Sequence, residues 1–214
     1  MKQGKALYNV DGEDYDEQRE GGPVDKKERI VRSAIELFQK QGIHKTTVSH
    51  IVKRAEIAQG TFYLYFPSKL ALMPAIAEEM VEVLVDKIKE NIGDETDFPR
   101  QMEKMIQAIF SVNKEYSELL ALIYSGLAST EHLKEWEMVY APCYELVSDL
   151  IETAKQEGTI ATQIPSERVA KLIIGLVESS AEQVYLYNYS DGTEIERQKE
   201  AVTQFLFDAL QMKR

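Results

Sequence analysis

The chain reads as an all-α protein, with an N-terminal three-helix helix-turn-helix domain followed by a larger helical domain. Three observations predict this. Apolar residues recur at three- and four-residue spacing from about residue 26 to the C-terminus, and no segment alternates as a strand does. Glycines, prolines and capping residues cut that pattern into three short helices and then into longer ones. Charge also changes sign along the way. Residues 25–74 hold nine basic and four acidic side chains, although the whole chain has a formal net charge of −11. A basic segment between two acidic ones points to an anionic partner for that segment alone; chance clustering on a solvated helical face is the other reading.

Residues 1–24 are expected to be a disordered acidic tail, since four of the 11 glycines fall there amid polar residues and little can be buried. The first helix starts at Asp25, which with Glu28 has capping-box spacing. Ile30, Ala34, Ile35, Leu37 and Phe38 form its apolar side, and Gly42 ends it. Thr46 or Thr47 caps a second helix with the stripe Val48, Ile51, Val52 and Ala55. After a short break a third runs from Gln59 to Phe66 and stops at Pro67. Three short helices, the last two joined by a tight turn, make a helix-turn-helix over residues 25–72. Ser68 then caps a long helix reaching about Asn91. Further helices are expected over roughly 99–112, 114–128, 131–157, 166–189 and 194–212, so that residues 73–214 form the second domain. Pro74 and Pro142 fall inside two of these helices and predict a kink at each.

Composition excludes several classes. No apolar run approaches the ~20 residues of a membrane-spanning helix, and the N-terminus lacks the apolar core of a signal peptide. The single cysteine, Cys143, cannot form an internal disulfide and fits a reducing cytoplasm. There is no phosphate loop, nucleophile motif or cofactor motif. His44 and His50 have no cysteine or further histidine nearby, so they read as surface or packing residues and no metal is expected.

The residues Thr46-Thr47-Val48, Ile51, Ala55 and then Gln59-Gly60-Thr61-Phe62-Tyr63-Leu64-Tyr65-Phe66-Pro67-Ser68-Lys69 closely resemble the DNA-binding domain of the tetracycline-repressor (TetR) family. The resemblance covers about residues 26–75; beyond it, the chain matches in length and helical character. It implies a ligand-responsive transcriptional regulator, with repression the favoured sense, that binds palindromic duplex DNA as a dimer. It also implies backbone contacts from Thr47, Tyr63 and Lys69, with Gln59, Thr61 and Leu64 near the bases. Three positions depart from the family's habit. Glu56 stands where glycine is common, Ala58 where a capping serine is common, and Leu64 where histidine is common.

The same residues can be argued from chemistry. Phe62 and Phe66 lie four apart and face a core, which leaves Gln59, Thr61, Tyr63 and Leu64 more exposed. Gln59 can pair with an adenine edge, and Thr61 can meet a phosphate or a thymine methyl. Gly60 permits close backbone approach, and Tyr63 and Tyr65 offer hydroxyls to phosphates; one of the two can instead pack between helices. Thr47 and Lys69 each start a helix, where anions are favoured. Lys53 and Arg54 read equally as solvated side chains.

The last two helices carry stripes suited to pairing. Val169, Leu172, Ile173, Leu176, Val177, Ser180 and Val184 form one; Ala201, Val202, Phe205, Leu206, Ala209 and Leu210 form the other. The resemblance implies that these pair with their copies, and burial within one chain is the alternative. Leu119 to Tyr124 make a helix that is apolar all round and is expected to be central. Met105, Phe110, Leu120, Tyr124, Trp136, Tyr140 and Tyr144 are the candidates to line a cavity for a small hydrophobic effector. Residue by residue they read as ordinary core; the resemblance is what implies a cavity here. Glu178 lies in an apolar run and, if buried, is a partner for a cationic effector; exposure or a salt bridge across a dimer is the other reading. A helical enzyme, and a DNA-binding or interaction module without an effector, are the competing functions.

Overall fold

The structure, a computed structural model, describes residues 25–127, 138–187 and 191–212, with side chains to Ile123 in the first stretch. The acidic tail and the beginning of the helix expected from 131 lie outside these residues. The described residues form helices and turns without strands.

The first helix, α1 (Lys26–Gln41), is capped by Asp25, whose side chain accepts from the Lys27 N–H at 3.3 Å. Glu28 pairs with Arg32 at 2.5 Å, one turn on. Gly42 ends the helix at φ 78° with its N–H on the Phe38 carbonyl. Thr47 caps α2 (Val48–Arg54): its hydroxyl accepts from the His50 N–H, and His50 Nδ1 accepts from the Thr47 N–H. Histidine here takes the place of the glutamate of a usual capping box. Thr46, 1% exposed, donates to the Gly42 carbonyl and accepts from Gln41, which closes the loop between the two helices. The third helix, α3 (Gln59–Tyr65), follows without a side-chain cap. Ile30, Ala34, Ile35 and Phe38 pack with Ile51, Val52, Ala55, Phe62 and Phe66 in one core.

Ser68 accepts from the Ala71 N–H, but the long helix does not begin there. A 3₁₀ turn over Leu70–Leu72 precedes α4 (Met73–Ile92), and Pro74 sits in the first turn of α4. The expected interior kink at Pro74 is therefore absent: a first-turn proline lacks an N–H that would have no helical partner anyway. Pro142 lies in the first turn of the helix Ala141–Gln156, directly after a turn at Tyr140; the helix expected from 131 is described only from Met138.

The remainder comprises α5 (Phe98–Glu115), α6 (Ser117–Leu127), α7 (Ala141–Gln156), α8 (Ser166–Glu182) and α9 (Gly192–Ala209). A π-helical turn, Gln183–Tyr187, extends α8. The α4 helix packs along α5 and also touches α1, α6 and α7, so it joins the small helical unit to the large one. Among its described side chains α6 is not buried all round: Leu119, Leu120 and Ile123 face inward, but Ala121 is exposed and Leu122 half-buried. No described helix is long and apolar enough to cross a membrane.

Candidate nucleic-acid interface and effector cavity

Position on α3 sorts its side chains. Phe62 and Phe66 are buried, at 0% and 4% exposure, and their rings lie 5.8 Å apart in the domain core. Leu64, Tyr63 and Tyr65 are 84%, 50% and 41% exposed, and Gln59 and Gly60 are also on the outside. Thr61 is half-buried. The structure thus brings Gln59, Gly60, Thr61, Tyr63, Leu64 and Tyr65 onto one short helix. The ring of Tyr63 stands edge-on to Phe62 at 5.4 Å, so its hydroxyl is aimed from a fixed base.

Lys69 differs from expectation. Its ammonium donates to the carbonyls of Ile43 at 2.5 Å and Thr46 at 2.8 Å, and so clamps the loop before α2. An ammonium has three donors, so two are spent inside the domain and a phosphate can draw on the third. Arg29 plays a similar part behind the turn between α2 and α3. It donates to the Ala55 carbonyl at 2.5 Å and pairs with Glu56 at 3.5 Å. Glu56 holds φ 52°, the left-handed conformation that favours glycine, and Arg29 braces it there. The sequence gives Arg29 no bracing role, and it reads His50 as a surface or packing residue, not as part of a cap. The i, i+3 spacing of Thr47 and His50 was the visible sign of the cap; Arg29 meets its turn 26 positions on, and no local pattern encodes that contact.

The second site lies among α4 to α8. A cavity of about 10 Å³ is lined by Ala77, Met80, Val81, Leu84, Val112, Asn113, Leu120, Ile123, Tyr140 and Glu178. That is room for about one water molecule. Of the expected lining residues, Leu120, Tyr140 and Glu178 meet here. Met105 and Phe110 are fully buried elsewhere in the core, and Tyr144 stacks against Tyr140 at 5.7 Å. The side chains of Tyr124 and Trp136 lie outside the described residues. Ala77, Met80, Val81 and Leu84 of α4 are not among the residues expected to line a cavity, although their spacing marks one face of a helix. Nor is Asn113, buried and donating to the Ile109 carbonyl.

Glu178 supplies the cavity's acidic group. The Tyr140 hydroxyl donates to its carboxylate at 2.8 Å. Burial pushes the Glu178 carboxyl up to about 7; the Tyr140 bond opposes that rise and nearby Glu182 adds to it. Burial, and then the charge of Glu178, push the Cys143 thiol up to about 12, so it stays protonated and unreactive. No cluster of metal-ligating side chains occurs among the described residues.

A third surface joins α8 and α9. One side of each stripe faces inward: Val169, Ile173 and Val177 with Val202 and Leu206. The other side is open, with Leu172 65% and Phe205 62% exposed. Between them runs an apolar groove of about 270 Å³.

A basic helix-turn-helix joined to a helical domain with a small internal cavity defines the class of one-chain transcriptional regulators. Comparison with known proteins gives the family. Residues 30–76 match the model of the TetR-family bacterial regulatory proteins, and residues 102–210 match a tetracyclin repressor-like C-terminal domain. An uncharacterized HTH-type transcriptional regulator of Bacillus subtilis, YvdT, is 36% identical over 85% of this chain and 93% of its own length. The chain belongs to the TetR family of DNA-binding, ligand-responsive transcriptional regulators. In fold it is similar to FadR of Thermus thermophilus, solved in complex with lauroyl-CoA (TM-score 0.68, 19% identity, 88% of this chain and 96% of that one). It is also similar to FadR of Bacillus subtilis in complex with stearoyl-CoA (TM-score 0.66, 19% identity, 83% and 96%).

Proposed function

We propose that this regulator acts in the cytoplasm as a repressor, holding a palindromic operator as a homodimer and releasing it when a small hydrophobic effector opens the cavity around Glu178. The observation that carries the reading is the outward face of α3, where Gln59, Gly60, Thr61, Tyr63, Leu64 and Tyr65 are presented over a buried Phe62–Phe66 base. Thr47 and Lys69 flank that face as backbone contacts. The groove of α8 and α9 supports the dimer, because exposed leucine and phenylalanine side by side leave apolar area that a second copy would cover. Residues 25–72 then read the operator, and 73–214 hold the effector and the partner.

The effector is apolar along most of its length, to match Met80, Val81, Leu84 and Leu120, and carries a cationic group for Glu178. Dimerisation and operator binding are tested together by selecting bound fragments from random duplexes, then following affinity against salt. A two-fold-symmetric site and a linear fall of log K with log[salt] are expected. Titration of that complex with dodecyltrimethylammonium, dodecanol and lauroyl-CoA tests the effector. Release by the cation, lost in Glu178→Gln, supports the assignment. Release by lauroyl-CoA alone would favour a second reading, an acyl thioester, for which the ligands of the two FadR proteins speak.

A further inference from the structure

On a helix with about 100° per residue, the residue diametrically opposite the Phe62–Phe66 pair is Leu64. Its 84% exposure agrees with that position, at the crest of the outward face. Gly60 and Thr61 flank it. A Cβ added to Gly60 would meet nothing within 4 Å, so packing inside the chain does not require the glycine. The centre of the face is thus aliphatic and low, with Tyr63 and Tyr65 about 100° to either side of Leu64, while Gln59 is exposed at the first position of the helix. No lysine or arginine occurs on α3. Around the domain, Arg29 is held by the Ala55 carbonyl, Lys69 by two carbonyls, and Arg54 by Glu36 at 2.6 Å.

Base pairs in a major groove differ in what they offer such a face. Guanine is read by the paired donors of arginine or lysine, adenine by a side-chain amide, and thymine by apolar contact with its methyl group. Resting on the reading of α3 as the groove-entering helix, we infer that α3 specifies A·T pairs: Leu64 packs on a thymine methyl at the centre of its contact, and Gln59, from the exposed first turn, bonds the edge of an adenine. Leu64 is then a specificity-determining residue, and Gly60 gives it clearance to reach the base. An isobutyl side chain in water gains nothing from its position in the free protein; against a methyl group, both are removed from solvent.

The full-length dimer is used to select sites from random duplexes. Each thymine in the selected half-site is then replaced in turn by uracil, which lacks only the methyl group. Wild-type affinity should fall about fourfold at one thymine of each half-site, the effect of burying one methyl. Leu64→Ala should bind the thymine and uracil duplexes alike at that position, and its circular dichroism and melting curve should match wild type because Leu64 touches little of its own chain. A selected site with G·C pairs throughout the α3 contact overturns the inference alone. So does a wild-type protein indifferent to uracil at every position, or an equal uracil penalty in Leu64→Ala. Failure to enrich any duplex at low salt overturns the operator reading itself, and this one with it.

Discussion

Glu56 holds a left-handed backbone that a residue with a Cβ adopts at a cost of about 1 kcal/mol. Glu56→Gly should therefore raise the melting temperature by a few degrees, even though it removes the exposed pair with Arg29. It should also tighten operator binding at low salt, because an acid leaves the edge of the DNA-facing unit. Gly60→Ala separates two readouts in the opposite way. It should stabilise the fold by at most about 1 kcal/mol, since space is open and alanine is the better helix former; operator affinity should fall as backbone clearance is lost. Lys69→Ala should lower thermal stability by about 1–3 kcal/mol through the loss of charge-assisted bonds to Ile43 and Thr46. Its effect on the salt slope measures what the remaining donor gives to phosphate, up to about one unit. Glu178 contributes to stability through pH. Its carboxyl lies at about 7, against an ordinary 4.5. Below pH 4.5 it is protonated whether the chain is folded or not; between 4.5 and 7 only the unfolded chain ionises, so stability falls as pH rises, by roughly 3 kcal/mol in all. Thermal melts from pH 4 to 8 should show that fall in wild type and not in Glu178→Gln.

At the scale of elements, α4 is the physical link between the two units. It carries four residues of the cavity wall, Ala77, Met80, Val81 and Leu84, and also Glu79, which approaches Arg32 of α1 at 3.9 Å. Arg32 is also paired with Glu28. A displacement of the cavity wall is expected to reach the reading unit along α4, in part through this ionic contact. Glu79→Gln should reduce the effector's ability to weaken operator binding by up to about fivefold, within the usual range of coupling energies, while ligand-free affinity changes less. Pro74→Ala should leave that ratio nearly unchanged: the proline starts α4 and does not hinge it. Measuring operator affinity with and without effector for both variants distinguishes the two.

For the whole molecule, the open groove of α8 and α9 is the surface proposed to join two copies. Leu172→Glu with Phe205→Glu should give a folded monomer by light scattering, with unchanged helical circular dichroism, because both side chains are more than half exposed. Operator affinity should drop by orders of magnitude, since a single α3 reads too few base pairs. A dimer that survives both substitutions would move the interface elsewhere.

The sequence alone determined the helical class, the helix-turn-helix and the family. Caps, periodicity and the Gly60-to-Lys69 string are local signals, carried by residues within a few turns of one another. Leu120, Tyr140 and Glu178 are three of the eight residues expected to line a cavity, and nothing in the sequence singles these three out. Only the tertiary structure decided that Pro74 begins a helix, that Lys69 and Arg29 spend their donors inside the domain, and that α4 lines the cavity. Each of these depends on contacts between residues distant in the chain, or on where a 3₁₀ turn gives way to an α-helix. Such outcomes follow from packing free energy summed over the molecule, which a local pattern does not contain.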